Sequence, residues 1–303
     1  MAPEGAKGPE KVRGPRHREP GKERVMERLT IPRLWEMKRQ GKPIVVITAY
    51  NVWQTRLVEA AGADVILVGD SLGMVEHGFE GTVPVTLEMM TLHCAAVMRG
   101  RKRTLVTGDM PFLACEVSDP EAVRAAGTLL KESGVDTVKV EGGKRRAHTI
   151  AALTEAGMAV MGHIGLTPQS AVSLGGFRVQ GKTTAQARQL LDDARAVEDA
   201  GAFAVVLECV PAELAARITA QLSIPTIGIG AGGGCDGQVL VFHDLLGLYG
   251  DFKPKFARRY VEGGALLTQG LEGFVQDVRQ KVFPAPEHGF ALDPQVREEL
   301  DRQ

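Results

Sequence analysis

Val65-Ile-Leu-Val-Gly-Asp-Ser-Leu72 is a short apolar run that stops abruptly at Gly69-Asp70-Ser71. A run of that length, rich in Val and Ile and closed by glycine, is the pattern of a strand buried on both faces in a parallel sheet. An acid follows it, and the arrangement recurs twice, in order. Thr104-Leu-Val-Thr-Gly leads into Asp109, and Val135-Asp-Thr-Val-Lys-Val leads into Glu141. Three consecutive strands that each deliver a carboxylate at the C-terminal end are what a metal site at the mouth of a (β/α) barrel requires.

Outward from that stretch, strands and helices alternate. Strands are expected at 44–50, 65–69, 104–107, 135–140, 158–164, 202–207 and 225–229, with an eighth at 239–245. Helices are expected at 30–40, before the first strand, and at 52–61, 86–99, 118–134, 145–156, 184–200 and 212–222. Thr30 and Ser118 are N-cap candidates, and Glu121 completes a capping box with Ser118. Four corners share a glycine: Ala61-Gly62-Ala63-Asp64, Ser133-Gly134-Val135-Asp136, Ala156-Gly157-Met158 and Ala200-Gly201-Ala202. Each glycine supplies the left-handed cap that turns a helix back into a strand. Alternation repeated about eight times means a parallel sheet, closed as a barrel in the first reading and open and doubly wound in the second. Residues 256–281 read as one further helix, followed by a Pro-rich end.

The bulk properties exclude several classes. The chain has 303 residues, 44% hydrophobic content and a net charge of -1, which points to neither nucleic acid nor an anionic membrane. No apolar run reaches the ~20 residues of a membrane span. Cys94, Cys115, Cys209 and Cys235 are widely spaced, without a C-x-x-C pair, so a zinc cluster or a disulfide framework is not indicated. A reducing cytoplasm fits this usage, and the N-terminus lacks the apolar core of a signal peptide. Residues 1–24 hold almost no apolar side chains and read as a disordered tail.

The strand-end acids carry the chemistry. Carboxylate oxygens suit Mg²⁺ or another hard divalent cation. The plain alternative, that each acid caps a helix or pairs with a surface lysine, weakens when three occupy equivalent positions. Lys139 lies two residues before Glu141, so both face the same side of their strand. It is a clamp for a substrate carboxylate or one half of a structural ion pair. His163 ends the fifth strand between glycines, as a core residue or a site residue. Glu208 closes the sixth strand after Ala204-Val-Val-Leu; in an apolar setting it suits a general base, and otherwise it caps the helix near Pro211. Cys209 has no histidine beside it in sequence and is a weak nucleophile candidate. Gly228-Ile-Gly-Ala-Gly-Gly233 matches G-x-G-x-x-G, but too late in the chain for a dinucleotide fingerprint. It reads as close backbone packing or a wall of the substrate site.

Taken together, the chain resembles the ketopantoate hydroxymethyltransferase family. The matching stretches are Ile47-Thr-Ala-Tyr50, Val68-Gly-Asp-Ser-Leu-Gly-Met74, Pro84-Val-Thr86, Asp109-Met-Pro-Phe112, Val138-Lys-Val-Glu-Gly-Gly143, Gly162-His-Ile-Gly-Leu-Thr-Pro-Gln-Ser170, Leu207-Glu-Cys-Val-Pro211, Gly228-Ile-Gly-Ala-Gly232 and Asp236-Gly-Gln238. Phe283-Pro-Ala-Pro-Glu-His288 also fits. The resemblance implies a (β/α)8 TIM barrel of the phosphoenolpyruvate/pyruvate type over residues 25–290, a C-terminal tail at 291–303, and a homodecamer. It implies transfer of a hydroxymethyl group from 5,10-methylenetetrahydrofolate to 3-methyl-2-oxobutanoate, in pantothenate biosynthesis, with Mg²⁺. Carried over by motif, Asp70, Asp109 and Glu141 are metal-site acids, Asp70, Ser71, Asp109 and Lys139 contact the keto acid, and Glu208 is the base. Asn51 departs from the aspartate expected there, as do Gly233 and Gly234 from bulkier residues. A Mg²⁺-dependent 2-oxo acid lyase on the same barrel is the alternative, and it needs no folate.

Overall fold

The computed structural model describes residues 28–250 and 254–302; the expected tail at 1–24 lies outside them. Eight parallel strands close into a barrel in sequence order: β1 Ile44–Thr48, β2 Val65–Val68, β3 Leu105–Asp109, β4 Thr137–Glu141, β5 Val160–Gly165, β6 Ala204–Glu208, β7 Thr226–Ile229 and β8 Gly237–Leu240. β8 pairs with β1 to complete the ring, which excludes the open sheet. The helices are α1 Ile31–Arg39, α2 Val52–Ala61, α3 Leu72–Val75, α4 Leu87–Gly100, α5 Asp119–Thr128, α6 Ala147–Glu155, α7 Thr184–Asp199, α8 Ala212–Gln221, α9 Phe242–Leu246, α10 Gly263–Arg279 and α11 Pro294–Asp301.

Two apolar layers hold the barrel. The inner one contains Val46, Leu67, Leu105, Met161, Val206 and Val239, with Leu34 and Met37 of α1. The outer layer packs the sheet against the surrounding helices, with Ile66, Val106, Val138, Val205 and Ile218 among its members. Strands buried on both faces must be apolar on both, which is why they read as continuous runs rather than alternations.

All four corner glycines adopt the left-handed conformation expected of them (φ 77 to 93°). The aspartates beside two of these corners have a further task. Asp64, just before β2, accepts the backbone N–H of Val45 at 2.9 Å, and Asp136, just before β4, accepts that of Val106 at 2.9 Å. Asp236, before β8, does the same for Thr226 at 2.8 Å. Each carboxylate thereby ties the start of one strand to that of its neighbour at the end of the barrel away from the strand-end acids. Glu59 of α2 extends the device. It accepts N–H groups of Lys102, Arg103 and Thr104 ahead of β3.

Several expectations are corrected. The eighth strand lies at Gly237–Leu240, not 239–245, because the Phe242 N–H turns to Thr48 Oγ1 at 2.9 Å and the chain coils into α9. Gly237 is required there, since a Cβ would stand 2.5 Å from the Ile44 carbonyl oxygen. The expected helix at 256–281 begins only at Gly263, because the preceding segment folds back on α9, with Tyr260 N–H donating to Leu245 O. The expected C-terminal tail contains α11, capped by Asp293. The helix expected at 118–134 is α5 followed by a π-helical turn, Leu129–Ser133. Its capping box is half made: Ser118 Oγ accepts from Glu121 N–H, without the reciprocal bond. β3 runs on to include Asp109 itself.

Asp136 also meets Arg101 at 3.3 Å. Asp136→Ala removes this ion pair and orphans the Val106 N–H. It should cost about 2 kcal/mol, the scale of a lost hydrogen bond to a charged group. Urea denaturation measures this, and an unchanged midpoint would show the tie to be dispensable.

Candidate active site

The three strand-end acids, Lys139, His163 and Glu208 face one cavity of about 370 Å³ at the C-terminal mouth of the barrel. Register explains the convergence. Asp109 pairs with Lys139 across β3 and β4, Glu141 with His163 across β4 and β5, and Gly165 with Glu208 across β5 and β6. Paired residues of parallel neighbours share a face, and so do residues two apart in one strand. One ring of inward positions therefore collects the charged groups.

Lys139 is the centre of that ring. Its Nζ lies 3.2 Å from Asp109 Oδ2, 3.8 Å from Glu141 Oε1 and 3.1 Å from His163 Nδ1. Burial pulls its pKa down, but Asp109, Glu141 and Asp70 together raise it above the ordinary lysine value, so it stays charged. His163 continues the chain of contacts, with Nδ1 3.3 Å from Glu141 Oε1 and Nε2 3.1 Å from Glu208 Oε2. Burial and the Lys139 charge lower its pKa, yet its hydrogen bonds to Glu141 and Glu208 prevail and lift it to about 9. His163 therefore lies in the cavity with its two ring nitrogens between the Glu141 and Glu208 carboxylates. Glu208 is not enclosed by apolar groups alone, as expected, because the His163 ring faces it. Nor does it cap a helix: α8 starts with Pro211 at its N-cap.

Asp70 lies against this ring. Its backbone N–H donates to Asp109 Oδ2 at 3.0 Å, and its Oδ2 accepts from Gln169 Nε2 at 2.8 Å. Burial first, then the Asp109 and Glu141 charges, push its carboxyl up to about 8. Asp109 is raised as well, chiefly by burial. Asp109 Oδ1 is buried without a hydrogen-bond partner. Among the described residues no group of three or more His, Cys, Asp or Glu is arranged to hold a metal ion by itself. Glu141 lies near Lys139 and His163, its Oε2 accepts the Gln169 N–H at 3.1 Å, and its Oε1, like Asp109 Oδ1, is buried without a hydrogen-bond partner. Asp70, Asp109 and Glu141 are thus three desolvated carboxyls, two of them with an unpartnered oxygen. That set fits a hard cation such as Mg²⁺, which takes one or two protein carboxylates and completes its shell with water and substrate oxygens.

Ser71 lines the same cavity, and its Oγ lies 2.8 Å from the hydroxyl of the fully buried Tyr50. Tyr50 and Gln169 were not assigned roles from sequence, although both sit inside quoted motifs. Their partners are distant in sequence, so no local spacing reveals them. Asp244 of α9 also lines the cavity and was missed.

Glu208 is held by the backbone around it. Its carbonyl oxygen accepts from Leu166 N–H at 2.8 Å, and Cys209 adopts φ 50°, bonded to Gln180 and Ile229. Gly165 (φ 93°) permits this, since a Cβ would stand 2.3 Å from the Glu208 oxygen. Burial, then the Glu208 charge, push the Cys209 thiol up to about 12, which removes it as a nucleophile. The glycine-rich loop after β7 is close packing: Cβ atoms at Gly230, Gly232 and Gly234 would collide with Phe256, Ala212 and Ala216. Asn51 caps α2 through Oδ1, so its departure from aspartate keeps the cap.

Comparison with known proteins adds the lineage. A family model described as ketopantoate hydroxymethyltransferase matches residues 28–286. A 3-methyl-2-oxobutanoate hydroxymethyltransferase of Heliobacterium modesticaldum is 55% identical over 273 residues, covering 90% of this chain and 99% of that protein. Among solved structures, a phosphoenolpyruvate phosphomutase from Streptomyces platensis superposes with TM-score 0.58 at 15% identity, covering 90% of this chain and 97% of that one. A 2,3-dimethylmalate lyase, a PEP mutase/isocitrate lyase superfamily member, gives TM-score 0.53 at 16% identity, covering 90% and 95%. These two establish the barrel type.

Lys139→Met removes the cation between two buried carboxylates. Leaving uncompensated charge in such a place costs about 3 kcal/mol. The urea midpoint at neutral pH should fall accordingly, and a variant as stable as the parent would mean that Lys139 does not balance the ring.

Proposed function

The chain belongs to the ketopantoate hydroxymethyltransferase family, and from this membership and the cavity's chemistry we propose that it converts 3-methyl-2-oxobutanoate to 2-dehydropantoate, with 5,10-methylenetetrahydrofolate as one-carbon donor. What supports the reading is the opposition of two kinds of acid across one cavity. Asp70 and Asp109 stand on the β2–β3 arc with an unpartnered oxygen, and Glu208 stands on β6.

Asp70 and Asp109 would hold Mg²⁺, with Glu141 the third acid beside them. When bound, the ion supplies Lewis acidity that makes the C3 proton of the keto acid easier to remove. Lys139, permanently charged, and the Ser71 hydroxyl orient the substrate carboxylate. Glu208 accepts the C3 proton; one water breaks the two C–N bonds of the methylene bridge, leaving tetrahydrofolate and a one-carbon unit at the formaldehyde level, whose carbon the keto-acid nucleophile attacks while its oxygen takes up the proton held by Glu208. His163, with Nδ1 3.3 Å from Glu141 Oε1 and Nε2 3.1 Å from Glu208 Oε2, would fix the Glu208 carboxylate.

No helix among the described residues is long and apolar enough to cross a membrane. Placement in the cytoplasm is part of the proposal and agrees with four free cysteines. So is assembly as a homodecamer, which would cover the exposed Leu267, Leu271, Phe274 and Val278 of α10.

The test separates proton removal from transfer. With Mg²⁺ and 3-methyl-2-oxobutanoate in D₂O, without folate, the C3 proton signal should decay in wild type. Glu208→Gln should slow that decay about a hundredfold or more, the usual scale for losing a general base. Exchange at the wild-type rate in this variant would exclude Glu208 as the base. Asp109→Ala should weaken Mg²⁺ binding in calorimetry at least tenfold, and unchanged affinity would remove Asp109 from the metal site.

A further inference from the structure

The charged ring, carried by strand ends, makes only part of the lining of the cavity. Another part is built differently, from Phe177 on the β5–α7 connection, from Tyr249, Lys255 and Phe256 on the segment after α9, and from Asp244 of α9. Phe177 is 57% exposed, an apolar ring left at the rim of a concave site. The cavity lies in the size range of roughly 300–1,000 Å³ that takes drug-sized ligands, more than a small branched keto acid fills.

Asp244 differs from every other acid of the cavity. Asp70, Asp109, Glu141 and Glu208 each meet a partner described above. The Asp244 carboxylate makes no hydrogen bond and no ion pair among the described residues, although it is partly buried. Burial raises its pKa, and the Arg259 charge pulls the other way. A desolvated acceptor without a donor carries a free-energy cost that a ligand with N–H groups would relieve.

We propose that this part of the cavity is the pterin subsite, in which the Asp244 carboxylate accepts two parallel hydrogen bonds from the 2-amino and N3–H groups of the folate ring. The proposal rests on the folate-dependent reading above. The pterin is flat and aromatic, and one edge presents two adjacent N–H donors with the geometry of half a guanidinium. A carboxylate matches that edge with two oxygens, as it matches arginine. Phe177, Tyr249 and Phe256 offer apolar surface to the ring faces. The glutamate tail of the folate then leaves through the mouth, where the Lys255 ammonium meets its carboxylates. The ring is thereby held above the charged floor, with its one-carbon unit turned toward the keto acid.

Calorimetric titration of tetrahydrofolate under anaerobic conditions, with Mg²⁺ and 3-methyl-2-oxobutanoate present, tests the assignment. Asp244→Asn and Asp244→Ala should weaken tetrahydrofolate binding tenfold or more, while keto-acid affinity, titrated separately, changes less than twofold. A tetrahydrofolate analogue lacking the 2-amino group should bind wild type about as weakly as the variants bind tetrahydrofolate. The variants should scarcely distinguish the two ligands, as expected when the lost partners contact each other. Equal tetrahydrofolate affinity in wild type and both variants would overturn the subsite and leave the folate reading standing. A wild-type protein that binds the keto acid but not tetrahydrofolate would overturn the folate reading and the subsite with it. Variants that lose keto-acid binding as well would show a structural role for Asp244 and also overturn the subsite.

Discussion

The buried ammonium of Lys139 is the constraint around which the mouth of the barrel is arranged. An isolated charge at that depth would be costly, and four acids at the same depth would be costlier. Placed 3.2 Å from Asp109 and 3.8 Å from Glu141, the lysine offsets part of the cost of burying these two carboxyls. His163 carries the balance onward to Glu208 at 3.1 Å. Asp70 is left outside this pairing, and its carboxyl is accordingly pushed up to about 8. The ring is thus nearly balanced but short of positive charge on the β2–β3 side. On the proposed reading, this shortage would favour a bound cation at the site.

The opposite end of the barrel solves a different problem with the same residue type. Asp64, Asp136 and Asp236 spend their charge on backbone N–H groups at strand starts. Such bonds stabilise because the acceptor is charged and the donors would otherwise be orphaned. The acids at the mouth are less fully supplied: Asp109 and Glu141 each accept one backbone N–H, and each keeps one buried oxygen without a partner. The stability of the barrel therefore resides in its closed end and its two apolar layers. Its mouth can hold unfavourable electrostatics without unravelling, a division that suits (β/α) barrels in general.

Much of this was legible in the residues. The apolar runs ending in Asp70, Asp109 and Glu141 located three strands and their functional ends. The spacing of Lys139 and Glu141 placed both side chains in the interior, and the corner glycines marked four helix ends, all as observed. What escaped was decided by contacts between remote segments. The eighth strand was placed too far along because its end is set by Thr48 of β1, nearly two hundred positions away. The last long helix was begun too early because residues 254–262 fold back onto α9, which no periodicity records. The contacts that His163 of β5 and Gln169 of the turn after it make with Glu141 could not be read from the local pattern either. Tyr50 and Asp244 gave no signal because a phenol under a serine and a lone acid on a short helix have no characteristic spacing.

The two parts of the cavity also differ in how they are held. The floor is made of strand residues locked by register, and its polar groups touch one another. The collar is made of side chains from connections, Phe177 before α7 and Tyr249 and Phe256 after α9, and its acid touches nothing described. A reaction that joins a small keto acid to a one-carbon unit carried on a large flat molecule places unequal demands on these parts. The carbon that loses its proton must be aligned to within a fraction of an ångström with its base, which favours rigid strands. The carrier must enter, deliver and leave each turnover, which favours a collar on loops. Glu208 stands at the boundary, as the last residue of β6, fixed below by strand pairing and braced above by the backbone of Leu166 and the turn at Cys209. With Glu208 as the proposed base, the position of this one carboxylate is the point at which the rigidity of the barrel would become the geometry of the reaction.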